Sequence, residues 1–587
     1  MLSFSFSATR LNCVLTLTLG LSAFAAGDPI TVSVPSTAPT HNVVQSNFLG
    51  ISLELSFMDE YFGNDTSTIP STVMTYLSAI RSRTGNNPLR LRVGGNSMDS
   101  SVYVPGQASP MVQMIQTAAN ANDQAVDYGP VLWDVMKKVA DGVGGAEYLI
   151  GLSLRDPNNP NVPVIAAAAE KTLGTTLDGY LLGNEPDLYT SHGQRPNIQN
   201  YTLDNYIDEF RTVSNHLTDT SAGNLLNLKN IGGPTICCAW NLDAVLNGGY
   251  LAAFNSFLKY ISLQHYPQNN CFGRYDYEIP YYMQHANVVR LASWQQPGID
   301  IVQSNTSANH PQLIMSEFNS ASCGGIPNIS DTFAVGSLWT IDYALQMAAA
   351  GYSAAYLHTR ERGISYNLFA PPEGPNGGPG PWVTNSPYYA LIATAEALQS
   401  IDGSVVVDLN IGNSMTNKDA TTAGYAVYDA KGASVQRFVL FNYANVSSAA
   451  ATFAIPASAF KSGNKDTVTV KYLSAQDLHE KTNIAWGGQT LAGVGDGNFK
   501  DSSASWAVPN KNVDCSNGCS IDVPPTGMAV VFASGVSQVN AVNKANTTQT
   551  NAPGNQKSSH SAAVPLSVTN SLLFVCSMLG FVSFTML

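Results

Sequence analysis

Two glutamates close apolar, strand-like runs in this chain. Glu185 ends the stretch Leu181-Leu182-Gly183-Asn184-Glu185-Pro186, and Glu317 lies in Leu313-Ile314-Met315-Ser316-Glu317-Phe318. They are 132 residues apart in the chain, so separate elements can bring them to two sides of one bond. That is the equipment of glycoside hydrolysis: one carboxyl group protonates the leaving oxygen, and the other attacks the sugar or activates water. A lone Glu at a strand end is ordinarily a solvated terminus. The pair acquires meaning only from the elements that carry it.

Those elements follow a rhythm. Between residues 48 and 360, short apolar or β-branched runs alternate with turns and longer helix-like segments. The runs are Phe48–Leu53, Leu89–Val93, Tyr148–Leu154, Tyr180–Leu182, Ile231–Ile236, Ile261–Gln264, Leu313–Met315 and Ala354–Leu357; helix patterns cover Val131–Val139, Tyr206–Leu217 and Phe333–Ala350. Strands alternating with helices imply a parallel sheet. Eight such units fit an α/β fold of the (β/α)8 TIM-barrel type, in which active groups sit at the C-terminal strand ends. Glu185 and Glu317 would end the fourth and seventh strands, across the barrel mouth from one another. From about Asp402 the pattern changes to short β-rich segments between turns, including Val405–Leu409, Val435–Phe441, Val468–Tyr472 and Met528–Phe532. This predicts a C-terminal all-β sandwich, which the early segment Ile30–Val34 could join.

The expected organisation is a leader over 1–26, a catalytic barrel over 27–400, a sandwich over 401–533, a polar stalk over 534–561 and an apolar tail over 562–587. Arg10 followed by the apolar run Leu11–Ala25, with Ala23-Phe24-Ala25, reads as a secretory signal peptide. Ser558, Ser559 and Ser561, a polar spacer and the uncharged tail Leu572–Leu587 read as a GPI-anchor signal, the tail being marginal for a bilayer span. The expected location is therefore extracellular, with the membrane met only through that anchor. Sequons at Asn64, Asn200, Asn305, Asn328, Asn445 and Asn546 agree with secretion. Outside the two terminal segments remain Cys237, Cys238, Cys271, Cys323, Cys515 and Cys519. An even count in a secreted chain favours disulfides. Cys515 and Cys519 could close a small turn, and the other four leave the pairing open. Only 12% of residues are charged and the formal net charge is -13, with no basic run. Nucleic acid is thereby excluded as an expected partner. No phosphate loop or metal-ligand spacing appears, so no cofactor and no metal are expected.

Taken with its neighbours, Gly183-Asn184-Glu185-Pro186 resembles the acid/base motif of the retaining glycosidases of clan A. More narrowly, the chain resembles glycoside hydrolase family 79, the β-glucuronidases and heparanase. Further stretches carry the match: Leu91-Arg92-Val93-Gly94-Gly95-Asn96, Gln264-His265-Tyr266, Glu317 through Gly324-Gly325 with Ser330-Asp331-Thr332-Phe333, and Pro387-Tyr388-Tyr389. The resemblance implies Glu185 as acid/base and Glu317 as nucleophile, their carboxyl groups about 5–5.5 Å apart for retention. It implies that Glu54, Asn96 and Asn184 bind sugar hydroxyls, that Tyr266 hydrogen-bonds the nucleophile, and that His265 contacts the sugar. It further implies a clamp for a substrate carboxylate made of the backbone N–H groups of Cys323, Gly324 or Gly325 and the Tyr388 hydroxyl. His192, His358, Arg360 and Arg362 are additional candidates. The expected activity is release of terminal β-linked glucuronic acid, or its 4-O-methyl form, from a glycan. The alternatives are another retaining β-glycosidase acting on glucosides or xylosides, an endo-acting heparanase-like hydrolase, and an inactive glycan-binding scaffold.

Overall fold

A computed structural model describes residues 28–115, 124–198, 200–373, 380–445, 450–460 and 467–536. The expected leader, nearly all of the stalk, the C-terminal tail and the sequon at Asn546 lie outside the described residues, and no helix among those described is long and apolar enough to cross a membrane.

Eight parallel strands form a closed barrel: β1 (Leu49–Glu54), β2 (Leu89–Gly94), β3 (Ala146–Leu152), β4 (Leu177–Leu182), β5 (Ile231–Ile236), β6 (Leu258–His265), β7 (Gln312–Phe318) and β8 (Ala354–Thr359). The ring closes where β8 pairs with β1, with Ala355 opposite Leu49 and Thr359 opposite Leu53. Strands covered on both faces tend to be apolar on both faces, which is why most of them, such as Tyr148–Leu152 and Leu313–Met315, appear in the sequence as continuous runs. Leu149, Leu181, Tyr260, Ile314, Ala354 and Tyr356 pack together in a cluster of their own. Outer helices include Ser71–Arg81, Pro130–Gly142, Asn161–Leu173, Leu203–His216 and Ser386–Leu398. The segment expected as one helix over Phe333–Ala350 opens with a wide π turn, Phe333–Trp339, before the α-helix Thr340–Ala350.

The C-terminal region is built on a ten-stranded sheet. Its centre runs β9 (Ser404–Asp408), β10 (Thr422–Asp429), β11 (Val435–Asn442), β15 (Gly527–Phe532) and β13 (Thr467–Ala475). A second, three-stranded sheet joins Ile30–Thr31, β12 (Ala451–Ile455) and β14 (Cys519–Val523), with Ile30 in parallel register with Phe453. The period of two places successive side chains on opposite faces. In β11, Phe438 and Leu440 meet the small sheet, while Val439 and Phe441 join the core of the barrel. The large sheet is therefore buried on both sides, and one continuous core runs from barrel to sandwich.

Two buried polar clusters lock that seam. Glu396, on the helix Ser386–Leu398, accepts from Arg83 Nε (2.7 Å), Lys471 Nζ (2.6 Å) and Trp486 Nε1 (2.9 Å). Asp342 and Asp408 enclose His285, and Tyr425 and Tyr443 donate to Asp342.

Candidate active site

The C-terminal ends of the barrel strands surround a cavity of about 700 Å³ whose lining includes Glu54, Asn96, Glu185, His265, Tyr266, Glu317 and Cys323. Both glutamates therefore face one space.

Glu185 arrives there through a sharp turn. Gly183 adopts φ +81° and Glu185 itself φ +48°, a left-handed conformation that costs a non-glycine residue about 1–3 kcal/mol. Neighbouring backbone holds it: Glu185 N–H donates to Thr235 O (3.2 Å), and Thr235 Oγ1 donates to Gly183 O (2.9 Å). Pro186 then starts the short turn Pro186–Leu188. Burial, the charge of Glu317 and the charge of Asp187 all push the Glu185 carboxyl well above its ordinary range, against a smaller opposing effect of Arg92.

Glu317 has a different set of partners. Arg92 Nη1 donates to its Oε2 (2.5 Å) and Tyr266 OH to its Oε1 (2.8 Å). Arg92 is buried and branches further, donating from Nη1 to Ser52 Oγ (3.0 Å) and from Nη2 to Asn184 Oδ1 (2.9 Å). Asn184 Nδ2 in turn donates to Asn96 Oδ1 (2.6 Å). The Gln264 amide lies between Asn184 Oδ1 (2.9 Å) and Glu185 Oε1 (3.2 Å). Asn184 was expected to bind sugar directly. Its amide is instead engaged with Arg92, Gln264 and Asn96, and it is Asn96 that lines the cavity.

Glu54 accepts from Ser97 N (2.8 Å) and Ser97 Oγ (2.5 Å), and His358 Nε2 stands 3.4 Å from it. Burial works to raise its pKa, but the hydrogen bond and charge of His358, with Arg360 and Ser97, outweigh burial and hold it at about 2. The carboxylate fits against the chain because position 95 is glycine: a Cβ there would come within 2.2 Å of Glu54 Oε2. His265 lines the cavity but is stacked on Trp294 at 4.4 Å, and burial lowers its pKa to about 4, so it is a neutral group in the wall.

Of the residues expected to form a carboxylate clamp, Cys323 lines the cavity and Gly324, Gly325 and Tyr388 do not. Cys323, Gly324 and Gly325 all have left-handed φ values, +59°, +88° and +76°, and Cys323 is bonded to Cys271. Ser322 and Cys323 line the cavity, with Gly324 and Gly325 buried behind them. Tyr388 is a correction. Its side chain is 0% exposed, and its hydroxyl donates to Tyr76 O (2.9 Å) in the packing between helices Ser386–Leu398 and Ser71–Arg81. Tyr366, from the loop after β8, stands in the cavity wall instead. A Cβ at position 325 would come within 3.0 Å of its ring, so glycine admits it. His358 and Arg360 also line the cavity, as does His192, whereas Arg362 turns to Pro372 O and the vicinity of Glu60.

Residues that the sequence did not single out complete the site. Arg92 and Gln264 were visible only as members of motifs. Tyr366, Leu188 and Phe272 carry no periodic signal. The open cysteine pairing resolves to Cys237–Cys238, Cys271–Cys323 and Cys515–Cys519. Asp187, Cys237 and Cys238 lie within 4.8 Å of one another like a metal-ligand group, but the two sulfurs are joined and offer no thiolate.

Comparison with known proteins agrees with this architecture. Residues 424–530 match the glycosyl hydrolase family 79 C-terminal beta domain, which bears out the resemblance read from the sequence. No curated protein matches the chain. Among solved structures, the chain is similar to a 4-O-α-L-rhamnosyl-β-D-glucuronidase from Fusarium oxysporum 12S, with TM-score 0.65 and 20% identity over 86% of this chain and 100% of the other. It is also similar to a family 51 arabinofuranosidase from Xanthomonas axonopodis pv. citri, with TM-score 0.56 and 13% identity over 86% and 99%. A family 51 α-L-arabinofuranosidase from Bifidobacterium longum gives TM-score 0.54 at 12% identity over the same shares.

Proposed function

We propose that this glycoside hydrolase, which carries the family 79 C-terminal β domain, is a retaining β-glucuronidase that removes terminal β-linked glucuronic acid or its 4-O-methyl form from glycans. The observation that carries the reading is the unequal pair in one cavity: Glu317 ion-paired to Arg92 and hydrogen-bonded by Tyr266, Glu185 half-buried and pushed toward its protonated form. A Glu317 oxygen attacks the anomeric carbon while Glu185 gives its proton to the departing oxygen. The bond to the aglycone breaks and a glycosyl ester forms. Glu317 no longer carries charge in the ester, so Glu185 is freed to take a proton from water. That water attacks the same carbon, releases Glu317 and returns the sugar with its original configuration.

The uronic acid preference rests on the β7–β8–β1 side of the cavity. Arg360, ion-paired to Glu361 at 2.7 Å, lines the cavity there with Tyr366 and Cys323. The similar Fusarium oxysporum structure, a 4-O-α-L-rhamnosyl-β-D-glucuronidase in complex with Rha-GlcA, supports the same sugar. We further propose secretion and a GPI anchor, on the terminal segments alone.

Hydrolysis of matched 4-nitrophenyl β-glucuronide, β-glucoside and β-xyloside tests the specificity. Glucuronide turnover is expected to exceed both; equal or faster glucoside turnover rejects it. Proton NMR of the first-formed product is expected to show the β-anomer, and initial α-anomer rejects retention. Glu185→Gln and Glu317→Gln are each expected to lose turnover by about 100-fold or more on an unactivated glycoside.

A further inference from the structure

Two segments clasp one another at the acid, and the catalytic steps leave that contact unused. One is the turn 183–187 after β4, which carries Glu185. The other is 235–239, the end of β5 and the residues that follow it. Thr235 has φ +54° and grips the turn twice: its carbonyl accepts from Glu185 N–H (3.2 Å), and its Oγ1 donates to Gly183 O (2.9 Å).

Asp187 supplies the third grip, this time from the turn. Its carboxylate accepts from three successive N–H groups, those of Cys237 (3.1 Å), Cys238 (2.9 Å) and Ala239 (2.8 Å). Successive N–H groups aimed at one point make a concave anion site. Here the anion is a side chain two residues after the acid, and the Cys237–Cys238 bond holds two of the donors side by side. Asp187 is buried; Cys237 and Cys238 line the cavity and it does not. Among the described residues no Lys or Arg is paired with it, so its charge is held by backbone rather than cancelled by a cation.

Glu185 therefore meets an anion on its own turn as well as Glu317 from β7. The other charged or titratable groups acting on it are Arg92 from β2, Glu54 from β1 and Tyr266 from the end of β6. Arg155, His192, His265, His358 and Arg360 stand in the same cavity wall. The Asp187 charge favours the proton on Glu185 by more than the Arg92 charge opposes it, and Arg92 is already paired with Glu317.

We propose that Asp187 is a positioning residue for proton delivery, which locks the Glu185 turn to the segment after β5 and sets a negative charge beside the proton donor. It does not touch the sugar. The proposal rests on the reading of Glu185 as the acid and adds the residue that keeps this acid in place and protonated.

The test follows kcat/KM from roughly pH 4 to 9 on two substrates that share whichever glycone the wild type cleaves, a methyl glycoside and a 4-nitrophenyl glycoside. Methoxide needs a proton to leave and 4-nitrophenolate needs little help. Asp187→Asn keeps the shape of the side chain and removes its charge, so Glu185 gives up its proton at lower pH. The alkaline limb of the methyl glycoside profile is expected to move to lower pH, with kcat/KM about tenfold down on that limb and within about threefold of wild type at the acid end. On the 4-nitrophenyl glycoside the loss is expected to stay within about threefold throughout. Asp187→Glu, which keeps the charge, is expected to return the limb to its wild-type position. Should Asp187→Asn fail to fold, Asp187→Ser gives the same comparison. A limb that does not move, or an equal loss on both substrates at every pH, shows that Asp187 only packs and overturns the proposal. Glu185→Gln separates the two readings. It is expected to lose far more on the methyl than on the 4-nitrophenyl glycoside. Equal losses there show that Glu185 is not the acid, and both readings fall; a selective loss there with an unmoved limb in Asp187→Asn overturns the role of Asp187 alone.

Discussion

His285 gives a prediction whose size follows from geometry. It is the first residue of the helix His285–Ala292 and is fully buried at the seam between barrel and sandwich. Its Nδ1 lies 3.0 Å from Asp342, on the barrel helix Thr340–Ala350, and its Nε2 2.9 Å from Asp408, at the end of β9. Both ring nitrogens face carboxylates, so both must carry hydrogen, and the ring is an imidazolium. Burial works to lower its pKa, but the two carboxylates outweigh it and carry the value from 6.5 up to about 10. At about 1.4 kcal/mol per pH unit, that separation corresponds to roughly 5 kcal/mol of linkage. Because the folded value is the higher one, the contribution is fully present below pH about 6.5 and is lost as pH rises to about 10. The perturbation is His285→Gln, which keeps hydrogen bonding but not charge. Urea unfolding followed by tryptophan fluorescence, from pH about 6 to about 10 at fixed ionic strength, gives the stability difference between wild type and variant; shared titrations cancel in it. The variant is expected to be weaker by about 3–5 kcal/mol at the acidic end, and the gap to close steadily toward pH 10. A gap that stays constant with pH refutes the imidazolium bridge.

Three further outcomes are expected. The charge of Glu317 is, after burial, the largest influence raising Glu185, so carboxyl NMR of Glu317→Gln should show Glu185 titrating at lower pH than in the wild type; an unchanged or higher value rejects the coupling. Arg92→Met leaves Glu317 without its ion pair and should cost about 3–5 kcal/mol of stability, with kcat/KM down by about 100-fold or more; a loss under tenfold shows that Arg92 only packs. Tyr388→Phe removes a helix-packing hydrogen bond and should cost about 1 kcal/mol of stability while leaving kcat/KM within about twofold. A large KM increase for glucuronides in that variant would restore Tyr388 to the substrate site.

The barrel was legible because its strands are buried on both faces. Leu149–Leu152 and Leu313–Met315 stand in the sequence as uninterrupted apolar or glycine-containing runs, whereas Leu89–Gly94 is broken by Arg90, which pairs with Glu147, and by Arg92, which reaches Glu317. Of the sandwich, β9, β11, β13 and β15 could be read, whereas the short strands Ala451–Ile455 and Cys519–Val523 are partly exposed and polar and give too little alternation to be seen. Glu185 and Glu317 could be found because strand ends are local features. Tyr388 was misplaced for the opposite reason. It follows β8 closely in the chain, but the helix from Ser386 turns its hydroxyl to Tyr76, 312 residues away. Tyr366 comes from an irregular loop, where no period marks a side chain as facing the cavity. The even cysteine count favoured bridges, and the adjacency of Cys237 and Cys238 left their pairing open, because which sulfurs meet is set by a three-dimensional arrangement that spacing does not encode.

The different surroundings of the two glutamates depend on such long-range contacts. Each stands at the C-terminal end of a barrel strand, so position in the fold alone does not tell an acid from a nucleophile. The distinction lies in which strand stands beside which. Arg92 comes from β2, 225 residues before Glu317, and reaches it across the barrel mouth. Tyr266 comes from the end of β6, directly beside β7. Glu185 receives neither: its surroundings are burial, Asp187 and the Glu317 charge, all of which favour the proton. A pair of carboxyl groups with environments that diverge in this way can act as acid and nucleophile at one pH. Arg92 therefore does more than neutralise Glu317. By donating to Asn184 Oδ1 at 2.9 Å it also fixes the amide immediately before Glu185, and so ties the position of Glu185 to that of Glu317.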